Sequence, residues 1–300
     1  MKPLLRPRSA RERASGTVRG VLVTLFLALV LAFGNLLQLL TLPLLPLSRT
    51  LFLRANGAIV QGLMSKLGGL AERLHRLRVV LSGAQLPPSE NALVLVNHQC
   101  AIDINCVFSF AYRHGRLGDL RWFAKAALRN MPGIGWGLRF LDTIFVTRRW
   151  ETDARTIAEV FARMQGSRLP FWLLLFPEGA RQTPARLAEA QARAIALGEP
   201  PLSHLLWPRT RGFIATLGAL RARTDAIYDL TIGYPHGVPH LWDLLCGYVR
   251  EVHLEVERIP IDAVPLDPAA EEAWLIARWR AKDARMEAFS RDGRFSPESP

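Results

Sequence analysis

Asn97, His98 and Asp103 are the residues of this chain best suited to chemistry. An imidazole titrates near neutral pH, and a carboxylate beside it can fix its tautomer and stabilise the imidazolium that forms. His98 follows an apolar β-branched run, Leu93 to Val96, which reads as a buried strand. No G-x-S-x-G elbow accompanies it, so a protein nucleophile is missing and His98 is expected to activate a hydroxyl carried by the substrate. Cys100 lies close by but reads as a small buried residue.

Other polar groups stand where further strands should end. Lys125 follows Leu120 to Ala124, Arg148 and Arg149 follow Asp142 to Val146, and Glu178, Gly179 and Arg181 follow Pro170 to Phe176. Ligand sites in α/β sheets gather at such ends. One base, one orienting acid and several cations suit a hydroxyl substrate that also carries phosphate, because Arg forks grip phosphate oxygens.

These groups must be positioned by alternating strands and helices. Strands are expected over Arg78 to Ser82, Ala92 to Val96, Leu120 to Ala124, Asp142 to Val146, Pro170 to Phe176 and Ile227 to Tyr234. Tyr248 to Ile259 alternates apolar and charged residues, the pattern of a half-exposed edge strand. Helical periodicity marks Ile102 to Tyr112, Thr152 to Met164, Pro184 to Leu197 and a closing helix over Ala269 to Phe289. The expected fold is an α/β domain, a mixed sheet with helices on both faces, preceded by an N-terminal membrane helix or helical hairpin. Met131 to Gly137 is glycine-rich but lacks the third glycine of a dinucleotide fingerprint, and reads as the tight start of a helix.

The chain of 300 residues carries a net charge of +12, and half of it is hydrophobic. The mean hydropathy is +0.13 and the pI about 10.7. Such a chain partners either nucleic acid or an anionic membrane; arginines spread through an apolar sequence favour the membrane and argue against nucleic acid. Three cysteines without metal or disulfide spacing fit a reducing compartment. His236 and His240 are separated by glycine and proline and do not form a metal pair.

Between Gly20 and Ser48 no charged residue occurs. As a helix, residues 20–42 would rise about 35 Å, enough to cross a bilayer. Gly34-Asn35 is expected to interrupt that helix, and Pro43 and Pro46 to end it, so it either spans once or enters and returns as a hairpin. The basic residues ahead of it would stay cytoplasmic. The expected division is a basic cytoplasmic tail over 1–19, a membrane-anchoring helical segment over 20–76, the catalytic domain over 77–290 and a disordered tail over 291–300.

Four blocks in order resemble the glycerolipid acyltransferase family of the 1-acylglycerol-3-phosphate acyltransferases. They are N-H-x-x-x-x-D at Asn97 to Asp103, I-F-V-T-R at Ile144 to Arg148, F-P-E-G-A-R at Phe176 to Arg181, and the strand I-Y-D-L-T-I-G-Y-P at Ile227 to Pro235. The loop P-R-T-R-G-F looks most like the branch that holds bacterial YihG-type proteins and the eukaryotic lysophosphatidate and lysocardiolipin enzymes. The resemblance implies transfer of an acyl group from acyl-CoA or an acyl carrier protein thioester to a lysophospholipid hydroxyl, with no metal or other cofactor. It implies His98 as base, Asp103 as its partner, Arg148, Arg181 and Lys125 on the acceptor phosphate, and Glu178 and Gly179 at the acceptor pocket. It also implies a bacterial inner-membrane protein with its catalytic domain on the cytoplasmic side. Ala180 stands where the family has threonine, so one hydroxyl contact to the acceptor is lost. The rival readings are another lysophospholipid acceptor, a thioesterase in which His98 activates water, and a non-catalytic lipid-binding protein.

Overall fold

The computed structural model describes residues 9–147 and 149–295. Its elements are α1 (Ala10–Leu39), α2 (Arg49–Gly68), α3 (Leu70–His75), β1 (Arg78–Gly83), β2 (Ala92–Val96), α4 (Asp103–Arg113), β3 (Leu120–Lys125), α5 (Ile134–Phe140), β4 (Ile144–Val146), α6 (Trp150–Gly166), β5 (Trp172–Leu175), α7 (Pro184–Ala196), α8 (Thr210–Leu220), β6 (Ala226–Gly233), α9 (Leu241–Leu245), β7 (Glu251–Pro260) and α10 (Pro268–Asp292).

The seven strands form one sheet in the order β1-β7-β6-β2-β5-β3-β4. Every pairing is parallel except β6 with β7. Central strands are buried on both faces, which is why they read as continuous apolar runs. Leu93 and Leu95 of β2 join Leu173 and Leu175 of β5 in the core under α6, α8 and α10. Ala92, Val94 and Val96 point the other way, into a core with α4. The expected mixed sheet with helices on both faces is what forms.

β7 is not the edge strand its alternation suggested. It lies between β1 and β6, and the edges are β1 and β4. Its apolar residues Val252, Leu254 and Val256 enter the core on the α4 side. Its carboxylates Glu255 and Glu257 meet Arg285 and Arg278 of α10, so ion pairing, not solvent, accounts for the charged half of the pattern.

The N-terminal helix also departs from expectation. α1 begins at Ala10, capped reciprocally by Ser9 and Glu12, and so takes in Arg11, Arg13 and Arg19 of the expected tail. It runs through Gly34-Asn35 without a break. The Asn35 Nδ2 donates to Leu31 O at 2.8 Å and Gly133 O at 2.9 Å, which satisfies its NH₂ without opening the helix. Gln38 does likewise to Gly137 O at 3.3 Å. At the other end Gly16 and Gly20 lie against Tyr248, Trp242 and Cys246, where a Cβ would collide. The helix therefore docks on the domain near both ends through its small and polar residues. Its outward face, including Leu22, Leu25, Phe26, Leu29 and Phe33, is left exposed. α1 is long and apolar enough to cross a membrane.

At the C-terminus α10 extends to Asp292 and Phe295 is buried against Phe289, so order continues past the expected tail boundary. Residues 296–300 of that tail, and residues 1–8 of the basic one, lie outside the described residues.

Candidate active site

β2 ends where the chemistry begins. Asn97 is fully buried, and its amide exchanges two hydrogen bonds with the backbone of Ile232 on β6, at 2.8 and 3.0 Å. That clamp fixes the chain as it leaves the strand and sets the start of the loop carrying His98. The His98 N–H donates to Glu178 at 2.8 Å, and its carbonyl accepts from Gln182 N at 2.8 Å. Phe176 stacks on the imidazole, with ring centroids 4.2 Å apart. Backbone and ring are thus held from three directions before a substrate arrives.

Asp103 opens α4 and is wholly buried. Its Oδ2 lies 2.9 Å from His98 Nδ1 and accepts the N–H groups of Gln99 at 2.7 Å and Cys100 at 2.8 Å. Its Oδ1 accepts the Tyr234 hydroxyl at 2.7 Å. A carboxylate surrounded by donors assigns the proton of the shared bond to Nδ1, leaving the Nε2 lone pair free. The Asp103 carboxylate can then stabilise positive charge on the ring when Nε2 takes a proton. Cys100 is not a competing nucleophile: burial, with the Asp103 charge adding to it, pushes its thiol up to about 12.

His98 lines a cavity of about 1750 Å³. One part is aliphatic, with Leu27, Val30 and Leu31 of α1, Ile59, Val60 and Leu63 of α2, and Phe108, Leu120 and Trp122 of the domain. Another is basic, with Lys125, Arg149, Arg181, Arg209 and Arg211. Among the described residues none of these five cations forms an ion pair within the protein. Gly179 is also on the wall, at φ +68°, and a Cβ there would come within 2.9 Å of Arg209 Cδ.

The structure thus brings His98, Lys125, Gly179 and Arg181 to one cavity, with Asp103 behind the wall. Arg148 lies outside the described residues. Glu178 is placed differently from the expected pocket-lining role. It is buried, and its carboxylate takes the N–H groups of His98 and, at 3.1 Å, Leu206. It holds the loop that carries His98 from beneath. Tyr234 was not singled out by sequence reasoning. The signal was a tyrosine ending an otherwise buried strand, whose hydroxyl needs a partner. Arg209 and Arg211, from the P-R-T-R-G-F loop, share the wall.

Burial pushes the Glu178 carboxyl up to about 8, against the two backbone donors. A raised carboxyl means the folded protein binds a proton that the unfolded chain has released. The associated stability is complete below the ordinary value of 4.5 and is lost as pH rises towards 8. The melting temperature of the wild type is therefore expected to fall relative to Glu178→Gln between pH 5.5 and 8.5. A gap that stays constant across this range would refute the assignment.

The Acyltransferase family matches residues 78–217, and the Acyltransferase C-terminus family matches residues 243–300. The 1-acyl-sn-glycerol-3-phosphate acyltransferase delta of Bos taurus is 35% identical over 89% of this chain and 71% of its own length. Lysocardiolipin acyltransferase 1 of Danio rerio is 33% identical over 90% of this chain and 71% of its own. A probable 1-acyl-sn-glycerol-3-phosphate acyltransferase 5 of Arabidopsis thaliana is 32% identical over 76% of this chain, which spans only 61% of that protein. Among solved structures, the 1-acyl-sn-glycerophosphate acyltransferase PlsC of Thermotoga maritima superposes with a TM-score of 0.58 at 17% identity. It covers 91% of this chain and 98% of its own, a likeness of fold. The matched families and relatives, taken with a His98–Asp103 pair whose imidazole lines a large cavity, establish that the chain belongs to the glycerolipid acyltransferase family.

Proposed function

We propose that the protein moves a fatty acyl group from an acyl thioester to the free sn-2 hydroxyl of a lysophospholipid at a membrane surface, with 1-acylglycerol-3-phosphate as the principal acceptor. One observation carries this reading: His98, held by Asp103, lines a single cavity that is aliphatic in one part and basic in another. An amphiphile with a phosphate headgroup matches both.

His98 Nε2 takes the acceptor hydroxyl proton as the oxygen attacks the thioester carbonyl carbon. The C–S bond then breaks, and the thiolate leaves with the proton returned from Nε2. Asp103 stabilises the imidazolium between the two transfers. Arg181 and Lys125, together with Arg148, hold the acceptor phosphate. Glu178 keeps the His98 backbone in place, and Gly179 leaves room at the wall for the acceptor. The donor is acyl-CoA or an acylated acyl carrier protein.

α1 anchors the protein by its exposed apolar face, lying in one leaflet and not crossing it, because its small and polar residues dock on the domain near both ends. The membrane would be the bacterial inner membrane, with the domain on its cytoplasmic side. Functionally, residues 77–290 act as the acyltransferase domain, and the helices before it deliver the lipid.

The test is an acyl-transfer assay on membranes containing the protein, with labelled acyl-CoA and lysophosphatidate. Arg181→Gln is expected to raise KM for lysophosphatidate by ~10-fold or more, the scale of a charge-assisted bond to phosphate, with a smaller change in kcat. No transfer to any lysophospholipid from either donor would overturn the proposal. Arg149, Arg209 and Arg211 on the same wall favour a second reading, in which the acceptor carries more than one phosphate, as a lysocardiolipin does. A higher kcat/KM for lysocardiolipin than for lysophosphatidate would select it.

A further inference from the structure

A second cavity, of about 160 Å³, lies at the opposite end of the sheet from His98. Four arginines line it: Arg49 of α2, Arg121 of β3, Arg163 of α6, and Arg223 just before β6. Asp142 is the one acidic residue on its wall. Arg49 and Arg163 both reach Asp142 Oδ1, at 2.5 and 3.6 Å. Two of the four charges therefore share one carboxylate, and three positive charges remain in excess.

The other two arginines are held by backbone carbonyls and not by a carboxylate in direct contact. Arg121 is buried, and its Nη1 donates to Gly118 O at 3.0 Å and Leu120 O at 2.8 Å. Arg223 donates to the carbonyls of Met164 and Leu169 and lies over the Phe171 ring at 5.5 Å. Among the described residues neither forms an ion pair. Carbonyl contacts orient a guanidinium without cancelling its charge, so both present a preorganised cation to the cavity. Burial lowers the pKa of each, and at Arg121 the nearby Asp119 and Asp142 charges only partly offset it. Arginine side chains converging this way suit phosphate oxygens.

Location narrows the source of that phosphate. Arg49 opens α2 directly after the turn from α1, where Leu40, Leu42, Leu45 and Leu47 are exposed, and Leu51 is exposed one turn on. The Arg49 side of the cavity thus adjoins exposed leucines, and on the membrane placement proposed above it faces the headgroup region. Basic pockets beside membrane helices commonly hold anionic headgroups. The cavity is too small for a fatty chain but can take a phosphate.

We infer that the cavity formed by Arg49, Arg121, Arg163 and Arg223 is a second, non-catalytic site that binds the phosphate of an anionic phospholipid. Asp142 acts as a built-in competitor that keeps Arg49 and Arg163 occupied until the headgroup enters.

The competitor supplies a test with two opposite signs. Calorimetric titration of the full chain in detergent would use dihexanoylphosphatidic acid, dihexanoylphosphatidylcholine and inorganic phosphate. The Arg49→Gln/Arg163→Gln pair is expected to weaken one class of phosphatidic acid binding by ~10-fold or more. Asp142→Asn is expected to tighten the same class. Asp142 has φ +57°, and asparagine adopts that left-handed conformation as readily, so this variant keeps the turn. The half-exposed Arg49 and Arg163 are replaced without opening the core, and acyl transfer at saturating substrate should be unchanged. Inorganic phosphate binding as tightly as phosphatidic acid to this class would overturn the lipid assignment in favour of free phosphate. Binding unaltered by both sets of substitutions would overturn the site, as would equal binding of phosphatidylcholine.

Discussion

Replacing His98 by alanine is expected to lower kcat for acyl transfer by ~10²–10⁴-fold, the usual contribution of a positioned general base. The lysophospholipid KM should change little, because the aliphatic and basic walls of the cavity remain. Residual transfer would come from holding donor and acceptor together. Asp103→Asn should fall between wild type and His98→Ala. Asparagine presents an NH₂ where either Nδ1 or a backbone N–H needs an acceptor, so the tautomer that frees Nε2 is no longer enforced. The measurement is initial rate against acceptor concentration for the three proteins. Full activity in His98→Ala would remove the base from the mechanism.

This pair was legible because the whole device is local. Asp103 lies five positions after His98, and a strand followed by a helix start brings the two within 2.9 Å. Lys125, Arg181 and Gly179 were readable for a related reason: each stands at or beyond the end of a strand, and parallel strands deliver their C-terminal ends to one edge. What supports the pair was not legible. Tyr234 meets Asp103 from 131 positions away, and Glu178 meets the His98 amide from 80. Nothing in either segment announces the contact; both depend on β6 and β5 flanking β2. The family resemblance put Glu178 at the acceptor pocket, whereas its donors here are the backbone amides of His98 and Leu206.

The two misread elements share a cause. In β7, alternation of apolar and charged residues was taken as one wet face, but arginines of α10 can supply the counter-charge that water supplies elsewhere. In α1, Gly34 and Asn35 were taken as a break. Small and polar residues in an apolar helix serve equally to bring it close to a partner surface, and Asn35 finds Gly133 O at 2.9 Å across that contact. Composition along the chain records that a polar residue must be satisfied. It does not say whether water, a distant side chain or a backbone carbonyl does so.

The same blindness hid the strongest electrostatic feature of the core, and its removal is the second large effect expected. Asp229 of β6 is fully buried and faces three cations of α10: Lys282 at 2.5 Å, Arg278 at 2.8 Å and Arg285 at 3.1 Å. Lys282 is itself fully buried and donates to Leu230 O at 2.7 Å. Burial alone would push the Asp229 carboxyl up, but Lys282, Arg285 and Arg278 outweigh it and hold the group at about 2. A depressed carboxyl stabilises the fold fully above its ordinary value of 3.8, and that contribution is lost as pH falls towards 2. Asp229→Asn keeps the shape and deletes the charge, leaving Lys282 buried without its carboxylate. The expected cost is ~3–5 kcal/mol, typical of breaking one side of a buried ion pair. It should appear in detergent as a lower melting temperature at pH 7, with a gap from wild type that narrows as pH falls below about 4. Because Lys282 sits under β6 beside the strand that carries His98, the folded fraction of the variant should keep its His98–Asp103 pair, and kcat per folded molecule should drop far less than in His98→Ala. Equal melting temperatures at pH 7 would mean that Glu257 and Glu255 neutralise α10 without Asp229. A full loss of turnover with unchanged melting would instead place the network in the catalytic step.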